Sequence, residues 1–501
     1  MEPPDQPQGE GIARPRAWWT SVLLSLFLAA VGWVALQYRE LLWPRQGDEV
    51  IDYQEKGMSW SQGFSYDVPF LVRQSLPSWF GPLGNPPRQV LDEVVVIYMD
   101  DESNRRLEQI QSCIWSRKLH ARLLDRLTLD GPRAVMFDAF FDSETPEDAA
   151  FAEAMRKNGR VFLGVAIEMN SDAPLTLLEQ ARFNAVGLTS ERLTKRNQTL
   201  YSAALGWGVL TFRPMESDYG VRRLFVGKPR EGNDPWPAVT WVMAQHFNAG
   251  MPLDEGSRFA RRWVNYYGPS GVIQGISYYR LLTENAGVPA GYFRDKIVII
   301  GSRSGFASQA NRRLDEFSTP WSRFRGRVTT PGAEVHATML LNLLHHDWLE
   351  RVSPATERWF VVLLGLALGA LWWLRPGPAA LVLALVALVV FAVSCWMQWQ
   401  DRRWWNWTVP VVVQIPVAFV VTVASRYYVE ASHRRKLRQA AEIYLSPDLV
   451  KQISDDTFSL KPGGKKVVAT LVFTDIEAFS KLSEKLDDPD RLSRVLIDYF
   501  T

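Results

Sequence analysis

The chain has 501 residues, too many for one ordinary domain. Its formal net charge of +2 supplies no global field for nucleic acid, and its two cysteines, Cys113 and Cys395, have no metal-type spacing. Cys395 lies in an apolar run, which argues against a structural disulfide between them. The apolar residues gather in four nearly uncharged stretches with tryptophan frequent around them, the distribution of a membrane protein with a large soluble portion.

Residues 1–17 read as a polar, Pro-rich tail, held in the cytoplasm by Arg14 and Arg16. Residues 18–36 carry no charge and are long enough to cross a bilayer as an uncleaved anchor. Residues 37–356 read as a soluble extracytoplasmic domain. Within it, 93–99 is a buried strand that ends in Asp100, Asp101 and Glu102. A helix over 117–129 follows, with Leu119, Leu123, Leu124 and Leu127 on one face and Gly131-Pro132 ending it. Residues 134–141 form a second strand, Thr145 caps a helix opening at Pro146, and 160–167 form a third strand. This alternation predicts a parallel α/β sheet with right-handed crossovers. Residues 296–301 add another buried strand, and 331–344 a helix packed on the sheet.

Ligands on such sheets favour the carboxyl ends of strands. Asp100 and Asp138 are the candidates for a cation or polar-ligand sensor site, with Arg117 the candidate partner of the buried Asp138 carboxylate. A purely structural Asp138–Arg117 pair is the alternative. His336 reads as a packing residue, and His345 and His346 as interfacial residues rather than zinc ligands.

Three further apolar stretches cover 357–374, 379–399 and 404–424. In the first, Gly365 and Gly369 have the spacing that lets two helices approach closely, although glycine is common in membrane helices in general. Arg375-Pro376-Gly377-Pro378 reads as a tight turn. In the last stretch, Pro410 and Pro416 predict a kink and Gln414 a bond to a neighbouring helix. Four crossings leave both termini in the cytoplasm. The basic cluster Arg426, Arg434, Arg435, Lys436 and Arg438 fits that orientation and contact with anionic lipid. Residues 425–466 read as a cytoplasmic linker.

The soluble region resembles a type-2 CHASE domain, an extracytoplasmic sensory module. The resemblance rests on Ser65-Tyr66-Asp67, Ile114-Trp115-Ser116-Arg117, Phe137-Asp138, Asp218-Tyr219-Gly220-Val221-Arg222-Arg223, Asn265-Tyr266-Tyr267-Gly268-Pro269, and Pro331-Gly332 with Glu334-Val335-His336-Ala337, in that order. It spans roughly residues 50–350 and implies an inner-membrane, multi-pass protein that responds to an external stimulus.

The chain then reaches 467–480, VVATLVFTDIEAFS, which reads as a buried strand with a carboxylate at its exit. Such a carboxylate either holds a hard cation such as magnesium or caps the next helix. Phe473-Thr474-Asp475-Ile476-Glu477-Ala478-Phe479 closely resembles the opening motif of the class III nucleotide cyclases, with Ala478 where that family has glycine. The resemblance covers 467–501 and implies the start of an α+β, ferredoxin-like catalytic domain that works as a homodimer. It implies conversion of ATP to cyclic AMP and diphosphate with two Mg2+ or Mn2+ ions. Asp475 and the Ile476 carbonyl would be metal ligands, and the backbone at Ala478 and Phe479 would meet phosphate. The second aspartate and the base-reading residues would fall beyond Thr501, so the 501-residue chain is expected to be inactive by itself. Glu477 reads as a solvated turn residue. The expectation is therefore a sensor-regulated adenylate cyclase. The alternatives are a guanylate cyclase, or a non-catalytic membrane sensor with a degenerate cyclase-like end.

Overall fold

A computed structural model describes residues 15–37, 60–75, 88–109, 115–169, 191–193, 197–210, 220–230, 233–252, 254–283, 287–303, 315–322, 329–370, 376–444, 471–486 and 488–500, with 58, 468 and 470. Cys113, the turn at 461–464 and the start of the 467–480 stretch lie outside these residues. The chain divides into two units, 1–427 and 428–501.

In the first unit, α1 (Pro15–Gln37) is followed by α2 (Trp60–Ser75). The α/β core then runs β1 (Val94–Met99), α3 (Asp101–Arg106), α4 (Arg117–Asp130), β2 (Ala134–Phe140), α5 (Asp148–Asn158), β3 (Val161–Val165), β4 (Gly206–Val209), α6 (Val239–His246), β5 (Gly275–Ser277), β6 (Ile297–Ser302) and α7 (Gly332–His345). The six strands form one parallel sheet in the order β4-β3-β2-β6-β1-β5. The last of these six strands in chain order thus enters the middle of the sheet, between β1 and β2.

The apolar runs of these strands are continuous because both faces of the sheet are covered. Val94, Val96 and Tyr98 of β1, with Ala134 and Met136 of β2, face a core completed by α2, α6 and α7. Val95, Ile97, Val135 and Phe137 face the opposite core, against α4 and α5. Leu123, Leu124 and Leu127 of α4 are fully buried there, and Gly131 ends the helix with φ of 72°, a left-handed conformation that glycine adopts without strain. The helix expected to open at Pro146 begins instead at Asp148. Thr145 donates its N–H and hydroxyl to the Asp148 carboxylate, so the acid, not the threonine, is the acceptor.

Beyond the sheet come α8 (Pro354–Ala370), α9 (Pro376–Trp399) and α10 (Ile415–Tyr444), the last preceded by a π-helical turn at Val409–Gln414. Pro376, Gly377 and Pro378 belong to the first turn of α9 rather than to a loop. The π turn sits where Pro416 has no N–H to donate, and Ile415 N–H bonds the Pro410 carbonyl five residues back. Helix α8 packs along α1. A methyl on Gly365 would stand 2.5 Å from the Ala29 nitrogen, and Ser21 Oγ donates to the Gly369 carbonyl at 3.2 Å. Gln414 Nε2 donates to the Val361 carbonyl at 2.8 Å and to the Leu28 carbonyl at 3.2 Å, tying the three segments at one point. Two helical stretches, Pro378–Trp399 and Val409–Gln439, are long and apolar enough to cross a membrane, and Ser21–Gln37 is a shorter apolar helix.

In the second unit, α11 (Phe479–Leu486) and α12 (Pro489–Phe500) pack together. The strand expected just before α11 is not formed. Residues 471–476 have no regular structure, and Leu471, Val472 and Phe473 are exposed. A strand exists through the partner it bonds to, and the described residues supply none here.

Candidate functional site

The carboxyl end of the sheet, on the α7 face, holds a buried polar cluster. Register places Tyr98, Gly301 and Asp138 side by side on β1, β6 and β2. Gly301 is required by close packing: a Cβ there would stand 2.6 Å from the Ala333 methyl of α7 and 3.1 Å from Asp138. Helix α7 therefore lies directly on this strand end. From it, Glu334 accepts hydrogen bonds from Gly271 N–H at 2.7 Å, Ser270 Oγ at 3.3 Å and Tyr98 Oη at 3.3 Å. Burial raises the Glu334 pKa above its usual value.

Asp138 is the least satisfied member. Its side chain is 8% exposed, and Oδ2 is buried without a hydrogen-bond partner. The His336 Nε2 atom lies 3.8 Å from Oδ1, too far for a hydrogen bond. Burial lowers the His336 pKa to about 3, so the imidazole is neutral and gives the carboxylate no charge. Asp315 belongs to the same strand end. Its side chain bonds Ser302 Oγ on β6, and its carbonyl accepts the Gly332 N–H at the start of α7, at 2.9 Å. Burial raises Asp315 to about 7, and burial together with the Asp315 charge raises Asp138 well above the carboxylate range.

The three residues marked by the sequence do not converge. Asp100 caps α3, accepting from Ser103 N–H at 2.9 Å and from the Ser103 and Ser277 hydroxyls. Arg117 is buried on the opposite face of the sheet. It pairs with Asp148 at 3.4 Å and stacks over Phe141 at 4.5 Å, so the expected Asp138–Arg117 pair is not made. Side-chain alternation explains this: Phe137 and Asp138 point to opposite faces. Among the described residues, no group of three or more histidine, cysteine, aspartate or glutamate residues has the geometry of a metal site. His345 sits 3.0 Å from Glu93, and His346 bonds the Ala249 carbonyl. Asp315 and Glu334 were missed by sequence reasoning. Gly332 beside Glu334, at a helix opening onto a strand end, is the signal that pointed there.

Residues 49–371 match the CHASE2 domain family, which is well over half of the chain. The chain belongs to the CHASE2 domain family. No curated protein matches it, and no solved structure matches it. CHASE2 domains are extracellular sensors, and the match runs from before α2 to the end of α8. The sequence motif at Phe473–Phe479 lies outside the matched range.

The CHASE2 core is joined to the apolar helices through α2, an element the sequence reading did not find. On one side of α2, Arg222 grips Asp67, Tyr66 Oη bonds the Val264 carbonyl, and Arg73 donates to the Tyr266 carbonyl at 2.5 Å. On the other side, Trp407 Nε1 donates to the Ser65 carbonyl at 2.9 Å, Gln398 Nε2 to the Tyr66 carbonyl at 3.0 Å, and Trp399 Nε1 to the Pro69 carbonyl at 3.1 Å. Glu357, at the start of α8, accepts both arms of Arg351 and the Asn406 N–H. Trp399 and Trp407 thus serve as hydrogen-bond donors to a sensor helix.

At the other end of the chain, Asp475 is exposed and its Oδ1 accepts the Ile476 N–H at 2.9 Å. Ala478 has φ of +54°, a left-handed conformation, and its carbonyl accepts the N–H groups of Lys481 at 2.9 Å and Leu482 at 3.1 Å. Phe479 opens α11, and Glu477 is an exposed turn residue.

Proposed function

We propose that the chain belongs to a sensor-regulated adenylate cyclase of the membrane, converting ATP to cyclic AMP and diphosphate. The reading rests on the Phe473–Phe479 motif carried behind a CHASE2 domain and apolar helices. The observation that supports it most is Ala478: the backbone is left-handed at the one position where the cyclase motif takes glycine, so the turn that glycine would serve is kept. Asp475 supplies the first metal carboxylate for Mg2+ or Mn2+, and the Ile476 carbonyl stands beside it. These ions would activate the attacking oxygen and neutralise the leaving diphosphate. In this reading the working site forms in a homodimer.

In this reading the chain crosses the inner membrane four times, at 18–36, 357–374, 379–399 and 404–424, with both termini cytoplasmic. The bonds from Gln398, Trp399 and Trp407 to α2 support an external position for the 400–408 loop, because they hold it on the sensor. A signal in the sheet passes through α2 and Arg351–Glu357 into the helices, and through the basic linker to the effector.

The test is cyclic AMP formation from ATP and manganese in membranes carrying the native gene product or its Asp475→Ala variant. Wild-type turnover lost in the variant is expected. Wild-type membranes that form no cyclic AMP would favour the second reading, a non-catalytic membrane sensor, for which alanine in place of the motif's glycine is the support.

A further inference from the structure

The π turn at Val409–Gln414 changes the register of the chain between two anchored points. At its start, Val411 N–H bonds the Trp407 carbonyl four residues back, at 3.2 Å, which is α spacing. At its end, Ile415 N–H bonds the Pro410 carbonyl five residues back. One extra residue is therefore housed in the turn. Pro416 favours the wider path, since in a straight α-helix its ring would meet the Val412 carbonyl. Isolated π turns of this kind are rare and occur often at functional sites. Both ends are held from outside the helix. Trp407 Nε1 donates to the Ser65 carbonyl of α2 at 2.9 Å, and Thr408 N–H to the Ser65 hydroxyl at 3.3 Å. At the other end, the buried Gln414 amide donates to the Leu28 and Val361 carbonyls. Those carbonyls lie inside helices and have main-chain partners of their own, so withdrawal of the amide strands neither. Gly32 makes room for the amide: a Cβ there would stand 2.2 Å from Gln414 Nε2. The π turn packs closely against α1, α8 and α9. Helix α10, which runs unbroken from Ile415 to Tyr444, packs only sparsely on the other described elements.

We propose that Gln414 is the latch of a register switch. When its amide leaves Leu28 and Val361, the π turn closes to α, and α10 turns about its axis by about 100° and shifts by about 1.5 Å, the angle and rise of one residue. The sensor end stays tied to α2 through Trp407 and Thr408, so the motion is delivered to α10. Sparse packing lets α10 turn, and its continuity to Tyr444 carries the turn along its whole length. A side chain on its surface, about 5 Å from the axis, is displaced by about 8 Å. The inference rests on the membrane topology proposed above and is independent of the catalytic half.

The test measures distances between spin labels by double electron–electron resonance, on the full chain in lipid nanodiscs with Cys113 and Cys395 replaced by alanine. One label is at Leu26→Cys on α1 and the other at Phe419→Cys or Val420→Cys on α10, all three positions being exposed. Excess unlabelled chain confines the reading to pairs within one molecule. Residues 419 and 420 point about 100° apart, so a turn of α10 cannot leave both distances unchanged. Gln414→Leu is expected to shift at least one distance by about 3–8 Å. Gly32→Ala, which fills the space of the amide and leaves α10 untouched, is expected to shift it in the same sense. Deleting Val412 removes the extra residue, giving an α turn with α10 in its present phase. In that background Gln414→Leu is expected to leave both distances at the wild-type values. Unchanged distances in Gln414→Leu and Gly32→Ala overturn the proposal. So does an equal shift with Val412 deleted, which would mean that α10 swings loose rather than turning by one residue. A chain that does not enter the nanodisc overturns the topology and the switch together. No readout uses cyclic AMP, so a missing cyclase activity leaves the result intact, and an unmoved label leaves the cyclase reading intact.

Discussion

Arg222 and Asp67 form a two-armed ion pair inside the joint between the CHASE2 core and α2, with Nε to Oδ1 at 2.9 Å and Nη2 to Oδ2 at 2.7 Å. Both side chains are almost wholly buried, at 3% and 0% exposure. Paired charges in such a place are tolerated because the fork geometry satisfies both, and removing one partner strands the other.

Asp67→Ala is accordingly expected to destabilise the sensor domain by about 3–5 kcal/mol. Thermal unfolding in detergent reads this. Asp67→Ala with Arg222→Met should recover part of the loss, since the uncompensated charge is then gone. A single variant as stable as wild type would show the pair to be dispensable.

His120 is buried between Trp115, Phe137, Phe151 and Tyr278, and its Nδ1 meets Tyr278 Oη at 2.9 Å. Burial, assisted by the Arg117 charge, lowers its pKa from 6.5 to about 3. The folded state thus binds fewer protons than the unfolded one between these values. The stability His120 contributes is present above about pH 6.5 and is lost as pH falls toward 3, at a slope of up to ~1.4 kcal/mol per pH unit. His120→Gln should flatten the acid limb of a stability–pH profile. His336 titrates in the same sense, so the flattening is partial, whereas Asp315 works oppositely: its raised pKa favours the fold on the acid side and that contribution is lost as pH rises through about 7.

Gly365 has no space for a side chain, because a Cβ would meet the backbone of Leu28 and Ala29 on α1. Gly365→Val should separate α8 from α1 and cost about 1–3 kcal/mol. Faster amide exchange in α8 of Gly365→Val than in wild type would register the separation, and unchanged exchange would refute it.

Ala478 holds a left-handed conformation that costs a residue with a Cβ about 1–2 kcal/mol. Ala478→Gly is expected to tighten the turn into α11. Slower amide exchange at Lys481 and Leu482, whose N–H groups bond the Ala478 carbonyl, is the readout. Unchanged exchange would mean the turn is not limited by that strain.

The sequence by itself determined the four inner strands of the sheet and the helices α4, α5 and α7, because runs such as Val94 to Met99 and the leucine face of α4 carry their own period, whereas the short edge strands β4 and β5 and helix α6 were not legible in it. It also marked Gly365, Gly369 and Gln414 as candidates for contacts between helices, and the structure makes those contacts. Only the tertiary structure decided which charges meet. Arg117 and Asp138 are close in the order of elements but lie on opposite faces of the sheet, and Asp315 reaches Asp138 from 177 residues away along the chain. It also decided that α2 would be the joint, for Ser65, Tyr66 and Pro69 present main-chain carbonyls whose partners lie more than 300 residues on. Periodicity is a local property and is written in the sequence; pairing between buried polar groups depends on which faces the fold brings together.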